Sequence, residues 1–298
     1  MLADCVESIK LAGKRLLPAR IKIIIWDNAS TDCSLEMIRE TQDVVVLRSD
    51  RNLGFGVACN RALANTRADY FFLINPDLRL DPAAAESAFR FLEDDQLQEY
   101  GACGVVLFDS NGTRTRTCVR LPTFVELLAA GFSEHLAFLP NHRMHKWDHC
   151  SSRDVPHVIG ACMLIRRWVF SELGGFDDSY PLYLEDLDFS ARLGFAGLKI
   201  RFIDVGTTIH IGGGVSRKVL VHRTALSLAA RVIYARKHFG QSRALLLDLW
   251  MRVIEIPIRI IYLLKNRTSS TLLLPECYNQ ALRGKIGIEP RINDQKRV

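Results

Sequence analysis

The sequence predicts an α/β fold, a mostly parallel sheet flanked by helices with a helical, basic tail behind it. Three observations carry this expectation. Apolar runs within 21–30, 43–49 and 69–77 are continuous rather than alternating, as in strands buried on both faces. Helical patterns fall between these runs at the spacing of right-handed crossovers. Beyond about residue 222 every remaining stretch has helical character. The chain thus divides into an α/β unit over 1–220 and a tail over 221–298.

"IKIIIWDNAS" (21–30) is the first visible strand and stops at Asp27. "STDCSLEMIRET" follows as a predicted helix with Ser30 or Thr31 as its N-cap. "DVVVLRS" (43–49) is a second strand, and "NLGFGVACNRALANT" (52–66) is a glycine-containing turn running into a helix. "DYFFLINPD" (69–77) is a third strand, and "DPAAAESAFRFLED" (81–94) is a helix with Pro82 at its first position. "GACGVVLFDSNGTRTRT" (101–117) reads as strand, turn and return strand. Between 121 and 156 no period is visible. A strand and short helix follow over 157–177, and "LKIRFID" (198–204) is a further strand.

The chain of 298 residues is 48% hydrophobic and can bury a sizeable core. Its net charge of +6 is unevenly placed: from Val215 onward there are 16 Lys+Arg against 5 Asp+Glu. That leaves the tail near +11 and the body near −5, so the tail suits an anionic partner. Membrane headgroups fit better than nucleic acid, because no RRM-like aromatic strand or zinc-finger spacing accompanies the charge. Eight scattered cysteines without a CxxC pair read as reduced thiols in a reducing compartment. The N-terminus has no basic segment followed by an apolar one, so no signal peptide is expected.

Open α/β sheets bind ligands at the carboxyl ends of their strands. Asp27-Asn28, the turn from Asn52 through Gly54 and Gly56, and Asn75-Pro76-Asp77 would gather at that edge. The glycines would let backbone amides approach a phosphate at a helix N-terminus. Asp77 could hold Mg²⁺ or Mn²⁺ against a diphosphate, with His210 as a second ligand or as a hydrogen-bonded loop histidine. "NHRMHKWDHC" places His142, His145, His149 and Cys150 together, a loose zinc pattern set against a plain solvated or acceptor-facing loop. In "PLYLEDLDFSARLG" (181–194), Glu185, Asp186 and Asp188 form an acidic helix entry. The helix's positive end keeps a carboxylate there ionised, and Asp188 can pair with Arg192 four residues on.

In order along the chain, "WDNASTD", "NLGFGVACNRAL", "FFLINPDL", "GACMLIRR", "GGFDDSYPLYLEDLDFSAR" and "HIGGGVS" resemble the inverting family-2 glycosyltransferases. The subgroup they most resemble is the bacterial rhamnosyltransferase-like one that builds surface polysaccharides, over about residues 4–220. The resemblance implies a nucleotide-sugar-binding, Rossmann-like (GT-A type) sheet. Asp27 and Asn28 would sit at the nucleoside, and Asn52 to Asn60 near the nucleotide and its phosphates. Asn75 would replace the first acid of the family's metal-binding Asp-x-Asp motif, with Asp77 retained as ligand and His210 approaching the metal or diphosphate. Asp186 matches the catalytic base and Glu185 its acidic neighbour. Inversion is then one in-line displacement, with the base taking the acceptor hydroxyl's proton and a cation steadying the departing nucleoside diphosphate. No covalent nucleophile is required.

The family's first strand, which precedes the helix that "LADCVESI" resembles, has no counterpart here. Its loss should leave neighbouring strands short of ladder partners. A start site placed too late is the favoured explanation over a truncated chain. In the tail, "LLLDLWMRVIEIPIRIIYLLK" (245–265) carries Asp248, Arg252, Glu255 and Arg259 on one helical face, with Pro257 among them. It suits an amphipathic helix lying in a membrane interface better than a span, with Arg243, Lys265 and Arg267 as headgroup contacts over 243–267. The alternative is a helix packed on the protein's own core or on a second subunit in a homodimer. Together these features predict a peripheral enzyme at the cytoplasmic membrane face, moving rhamnose from dTDP-rhamnose to a saccharide or lipid-linked acceptor. Galactofuranose, glucose or mannose donors and a non-catalytic nucleotide-binding scaffold are the competing expectations. A nicotinamide dehydrogenase is disfavoured because "GFGVAC" lacks the third glycine of G-x-G-x-x-G.

Overall fold

The computed structural model describes residues 1–64, 66–132, 141–144, 146–212, 220–265 and 271–284. Its strands are β1 (Ile23–Asp27), β2 (Val44–Arg48), β3 (Tyr70–Ile74), β4 (Leu78–Arg79), β5 (Tyr100–Phe108), β6 (Arg114–Thr115), β7 (Cys118–Val119), β8 (Arg153–Val155), β9 (His157–Val158), β10 (Cys162–Arg166) and β11 (Lys199–His210). The helices are α1 (Leu2–Gly13), α2 (Phe55–Ala64), α3 (Pro82–Glu93), α4 (Phe124–Ala129), α5 (Arg167–Glu172), α6 (Glu185–Phe195), α7 (Leu220–Phe239), α8 (Gln241–Trp250), α9 (Ile256–Lys265) and α10 (Leu274–Leu282).

The main sheet runs β3-β10-β5-β11-β4, with β6 on β5 and β8 on β11. It is mixed. β11 lies parallel to β5, but β10 is antiparallel to both β3 and β5. A parallel neighbour needs a crossover helix, and β10 is reached instead through the irregular stretch after β7, which permits an antiparallel entry. β1 and β2 pair in parallel as a separate ribbon. Among the described residues β1 has only β2 as ladder partner, and β3 only β10. Ile23 and Val44 of the ribbon pack on Val6 of α1 in a small core of their own.

Burial explains the rest. The nine residues of β5 are almost all buried, as their unbroken apolar run requires. α3 starts at Asp81, whose carboxylate accepts the Ala83 and Ala84 N–H groups. α4 has a capping box between Thr123 and Glu126. The helix predicted after Ser30 is a correction: only a 3-10 turn, Cys33–Leu35, forms there, capped by Asp32 rather than Ser30 or Thr31. Met37 stands exposed, so this short stretch lacks the packed apolar face that would hold a helix together.

One core packs α3 against the sheet around Ala84, Ala88, Cys103 and Leu164, and two more fill the rest. Met163, Ile165, Phe189 and Phe202 centre one between sheet and helices. The other joins Leu127, Tyr180 and Leu187 to Leu226, Leu247 and Tyr278, so it crosses the position where the tail begins. All eight cysteines are free thiols. Of the loose zinc pattern, His145 lies outside the described residues. His149 is buried, stacked on Trp147, with its ring nitrogens 3.2 and 3.4 Å from the carbonyls of Trp147 and Cys118. Its nitrogens are thus occupied by backbone. Among the described residues there is no group of three metal-ligating side chains.

Candidate active site

The first corner forms where β1 ends. Asn28 receives the Leu53 N–H on Oδ1 and donates through Nδ2 to the Gly54 carbonyl. Asn52 accepts the Gly54 N–H, and Gly54 adopts φ +89°, a conformation that L side chains resist. Asp27 accepts the Ser30 N–H. These residues come together as predicted, but Asn28, Asn52 and Gly54 spend their polar groups building the turn. Gly56 serves packing: a Cβ there would lie 3.2 Å from Phe176 Cβ and 3.6 Å from Glu185. Asn60 is clamped to the loop after α5, donating to the Phe176 carbonyl and to Asp178 while accepting the Phe176 N–H.

The second corner is the turn between β3 and β4. His210, the last residue of β11, stands opposite Leu78 and brings its Nε2 to 3.2 Å from Asp77 Oδ1. The approach is off the line of a hydrogen bond, so this buried oxygen has a histidine neighbour and no aligned donor. Oδ2 accepts the Gly212 N–H at 3.1 Å. The His210 contact, opposed by partial burial, draws the Asp77 carboxyl below its ordinary range.

The third corner is the entry of α6. Tyr183 and Leu184 both have positive φ, 70° and 66°, an uncommon conformation for such side chains. The strained step splits the two acids that follow. Glu185 is 5% exposed, with Oε2 buried and lacking a hydrogen-bond partner. Asp186 keeps its side chain 21% exposed. Both Asp186 oxygens accept backbone N–H bonds, Oδ2 from Gly160 at 2.7 Å and Oδ1 from Leu187 at 2.8 Å. Burial, reinforced by the Asp186 charge, pushes Glu185 up to about 8, so it carries its proton at neutral pH. Environments that differ in this way suit two neighbouring carboxylates to different tasks.

Glu185 therefore makes stability depend on pH. The unfolded chain releases this proton above the ordinary value of 4.5, whereas the fold retains it to about 8. Stability from this group is complete below that lower value. It falls by up to about 1.4 kcal/mol per pH unit between the two. Glu185→Gln should remove the slope and keep most of the turnover, read by denaturant unfolding across that pH range; parallel curves for variant and wild type would contradict the protonated state.

One short segment joins the corners. Gly160 donates to Asp186, and the next residue, Ala161, accepts the Asn75 N–H at 2.9 Å. A Cβ on Gly160 would sit 3.1 Å from Asp186 Cβ, so glycine permits the close approach. Nearby, buried His157 points Nε2 toward Asp186 at 3.9 Å, with Nδ1 on the Ser190 hydroxyl at 2.9 Å. Gly160 lies inside a motif read from the sequence as a strand, and His157 had no partner visible along the chain. Contact across 26 and 33 residues carries no sequence signal. Arg223 of α7 donates to the Tyr183 hydroxyl at 2.6 Å, a contact equally unreadable from spacing.

Asp188 points the other way. Fully buried, it accepts from Arg192 Nε at 2.8 Å, Lys237 Nζ at 2.9 Å and His238 Nε2 at 2.8 Å. Burial opposes its ionisation, but His238, Lys237 and Arg192 outweigh it and hold the carboxyl below its usual range. The predicted pairing with Arg192 forms, and Lys237 and His238 of α7 complete the set of partners.

The three corners are thus an asparagine-built turn, a carboxylate–histidine pair and a partly exposed carboxylate beside a protonated one. The chain belongs to glycosyl transferase family 2, which matches residues 1–174, and it is a glycosyltransferase. It is 25% identical over 256 residues to the N-acetylglucosaminyl-diphospho-decaprenol L-rhamnosyltransferase of Mycobacterium tuberculosis, covering 80% of this chain and 81% of that one. It is 23% identical over 198 residues to rhamnosyltransferase WbbL of Escherichia coli, covering 63% and 72%. Among solved structures, a mannosyltransferase from Pyrobaculum calidifontis in complex with GDP-Man and Mn²⁺ superposes with TM-score 0.50 at 15% identity. The superposition covers 96% of this chain and 85% of that one. The likeness bears out the expected fold.

Proposed function

We propose that the protein transfers L-rhamnose from dTDP-rhamnose, with inversion, to a lipid-linked saccharide at the cytoplasmic face of a membrane. The observation that carries the chemistry is the division of labour at α6: Glu185 holds its proton, while Asp186 presents both oxygens as acceptors from a partly open position. The acceptor hydroxyl gives its proton to Asp186 as its oxygen bonds to the sugar C1. The bond from C1 to the diphosphate oxygen breaks on the opposite side, and its electron pair leaves with the diphosphate. Rhamnose is favoured by the names of both of these relatives, and a lipid-linked acceptor by that of the Mycobacterium tuberculosis one.

A divalent cation fits the second corner. Asp77 and His210 converge there, and Asp77 Oδ1 is buried without an aligned donor. Two protein ligands suffice for Mg²⁺ or Mn²⁺, which keeps waters and takes substrate phosphates for the rest. Bound there, the ion would neutralise charge on the departing diphosphate. A panel of nucleotide sugars assayed with Mg²⁺, Mn²⁺ or chelator tests both parts. Turnover with dTDP-rhamnose, abolished by chelation, is the expected result; turnover with another donor alone, or undiminished by chelator, would overturn the donor or the metal assignment.

A further inference from the structure

The stretch from α8 through α9 buries Ala244, Leu247, Met251 and Ile256, turns both its acids inward, and leaves a second set of apolar side chains outside. Asp248 accepts from the Tyr278 hydroxyl at 2.5 Å and from Arg252 Nε at 2.9 Å, and Arg252 also donates to Asn279. Glu255, fully buried in the π-helical turn Met251–Glu255, takes Arg231 at 2.7 Å and Arg259 at 2.9 Å. Of the four charges that the sequence placed on one face, the two acids are thus held against α7 and α10, while Arg252 pairs with Asp248 and stays exposed. What remains outside is Leu245, Leu246, Leu249, Val253, Ile258 and Ile261, each between 47% and 59% exposed. The 3-10 turn Thr271–Leu273 packs beside α9 and adds Leu272, itself more exposed still.

We infer that this face seats on an anionic lipid surface. Residues 220–265 hold eight Lys+Arg against two acids, Asp248 and Glu255; Arg231, Arg252 and Arg259 pair with those acids and Lys237 with Asp177 and Asp188, which leaves a smaller positive surplus. The potential around the apolar stripe is therefore positive, with Arg243 and Arg252 among its exposed residues. A second copy docked isologously would set two segments of the same net positive charge against each other, an arrangement that repels. No helix among the described residues is long and apolar enough to cross a membrane. The stripe therefore lies in the interfacial plane, its leucines at the headgroup–acyl boundary and its arginines on lipid phosphates.

This surface goes beyond the choice of sugar, and its test needs no turnover. The full chain is sedimented with vesicles of phosphatidylcholine alone, and of phosphatidylcholine mixed with phosphatidylglycerol. It should bind the mixed vesicles, and the double substitution Leu246→Glu, Leu249→Glu should weaken that binding by about tenfold or more. Both positions are exposed, so the thermal midpoint should not move. Wild type left in the supernatant with both vesicles, or a double variant that binds as wild type does, would overturn the inference. So would light scattering that shows a wild-type dimer split by the substitutions without vesicle binding, because the occupant would then be a second copy. Transfer to a soluble acceptor, measured in parallel, separates loss of the docking face from failure of the glycosyl-transfer assignment.

Discussion

Asp186→Asn is expected to lower turnover by about 10³-fold while leaving nucleotide-sugar affinity within about twofold, because a positioned general base contributes roughly 10²–10⁴. The asparagine carbonyl can still accept the Gly160 N–H that now reaches Asp186 Oδ2, so the loop between β9 and β10 should hold its place. What the amide cannot do is take a proton from the acceptor. Glu185 cannot substitute, since it is buried and already protonated at neutral pH. Single-turnover kinetics beside calorimetric titration with the donor nucleotide would separate the two effects. Turnover near the wild-type rate would remove Asp186 from the reaction. Equal loss of affinity and turnover would make it a binding residue instead.

The second large effect is on stability. Asp188→Ala should cost about 3–5 kcal/mol, the range for breaking a buried ionic cluster by removing one partner. Arg192, Lys237 and His238 would be left crowded around an uncompensated space, although Lys237 retains Asp177 at 2.6 Å. Because the folded Asp188 titrates below its ordinary range, its stabilisation is present above that range and fades as acid protonates it. The gap between wild type and variant should therefore narrow below about pH 4. Denaturant midpoints measured at neutral and acidic pH would show this; a gap under about 1 kcal/mol at neutral pH would mean the cluster is a surface-like pair.

Much of the body was legible because continuous apolar runs and turn residues are local signals. Ile23–Asp27, Val44–Arg48 and Tyr70–Ile74 fall inside the runs that announced them, and the return after Phe108 forms around Asp109 and Gly112. The sense of β10 was not legible, since a buried strand has the same composition whichever way it runs. The short helix after Ser30 failed because propensity alone does not hold an unpacked segment. In the site, the motif acids were legible as a group, but their division was not. Which of Glu185 and Asp186 is protonated depends on two left-handed residues just before them and on what covers each side chain. The tail shows the same limit. Its charges do share a helical face, yet periodicity cannot say whether that face meets water or the partners Arg231, Tyr278 and Asn279.

The joint at Gly160 and Ala161 has a mechanical consequence. Asp186 and the turn that carries Asp77 hang from consecutive residues, one through its own carboxylate and the other through Asn75. When the end of β10 shifts, both are carried in the same direction. A displacement shared in this way would leave the separation between Asp186 and the Asp77 turn less changed than either position. An in-line displacement depends on that separation, and two adjacent peptide units conserve it without any dedicated brace.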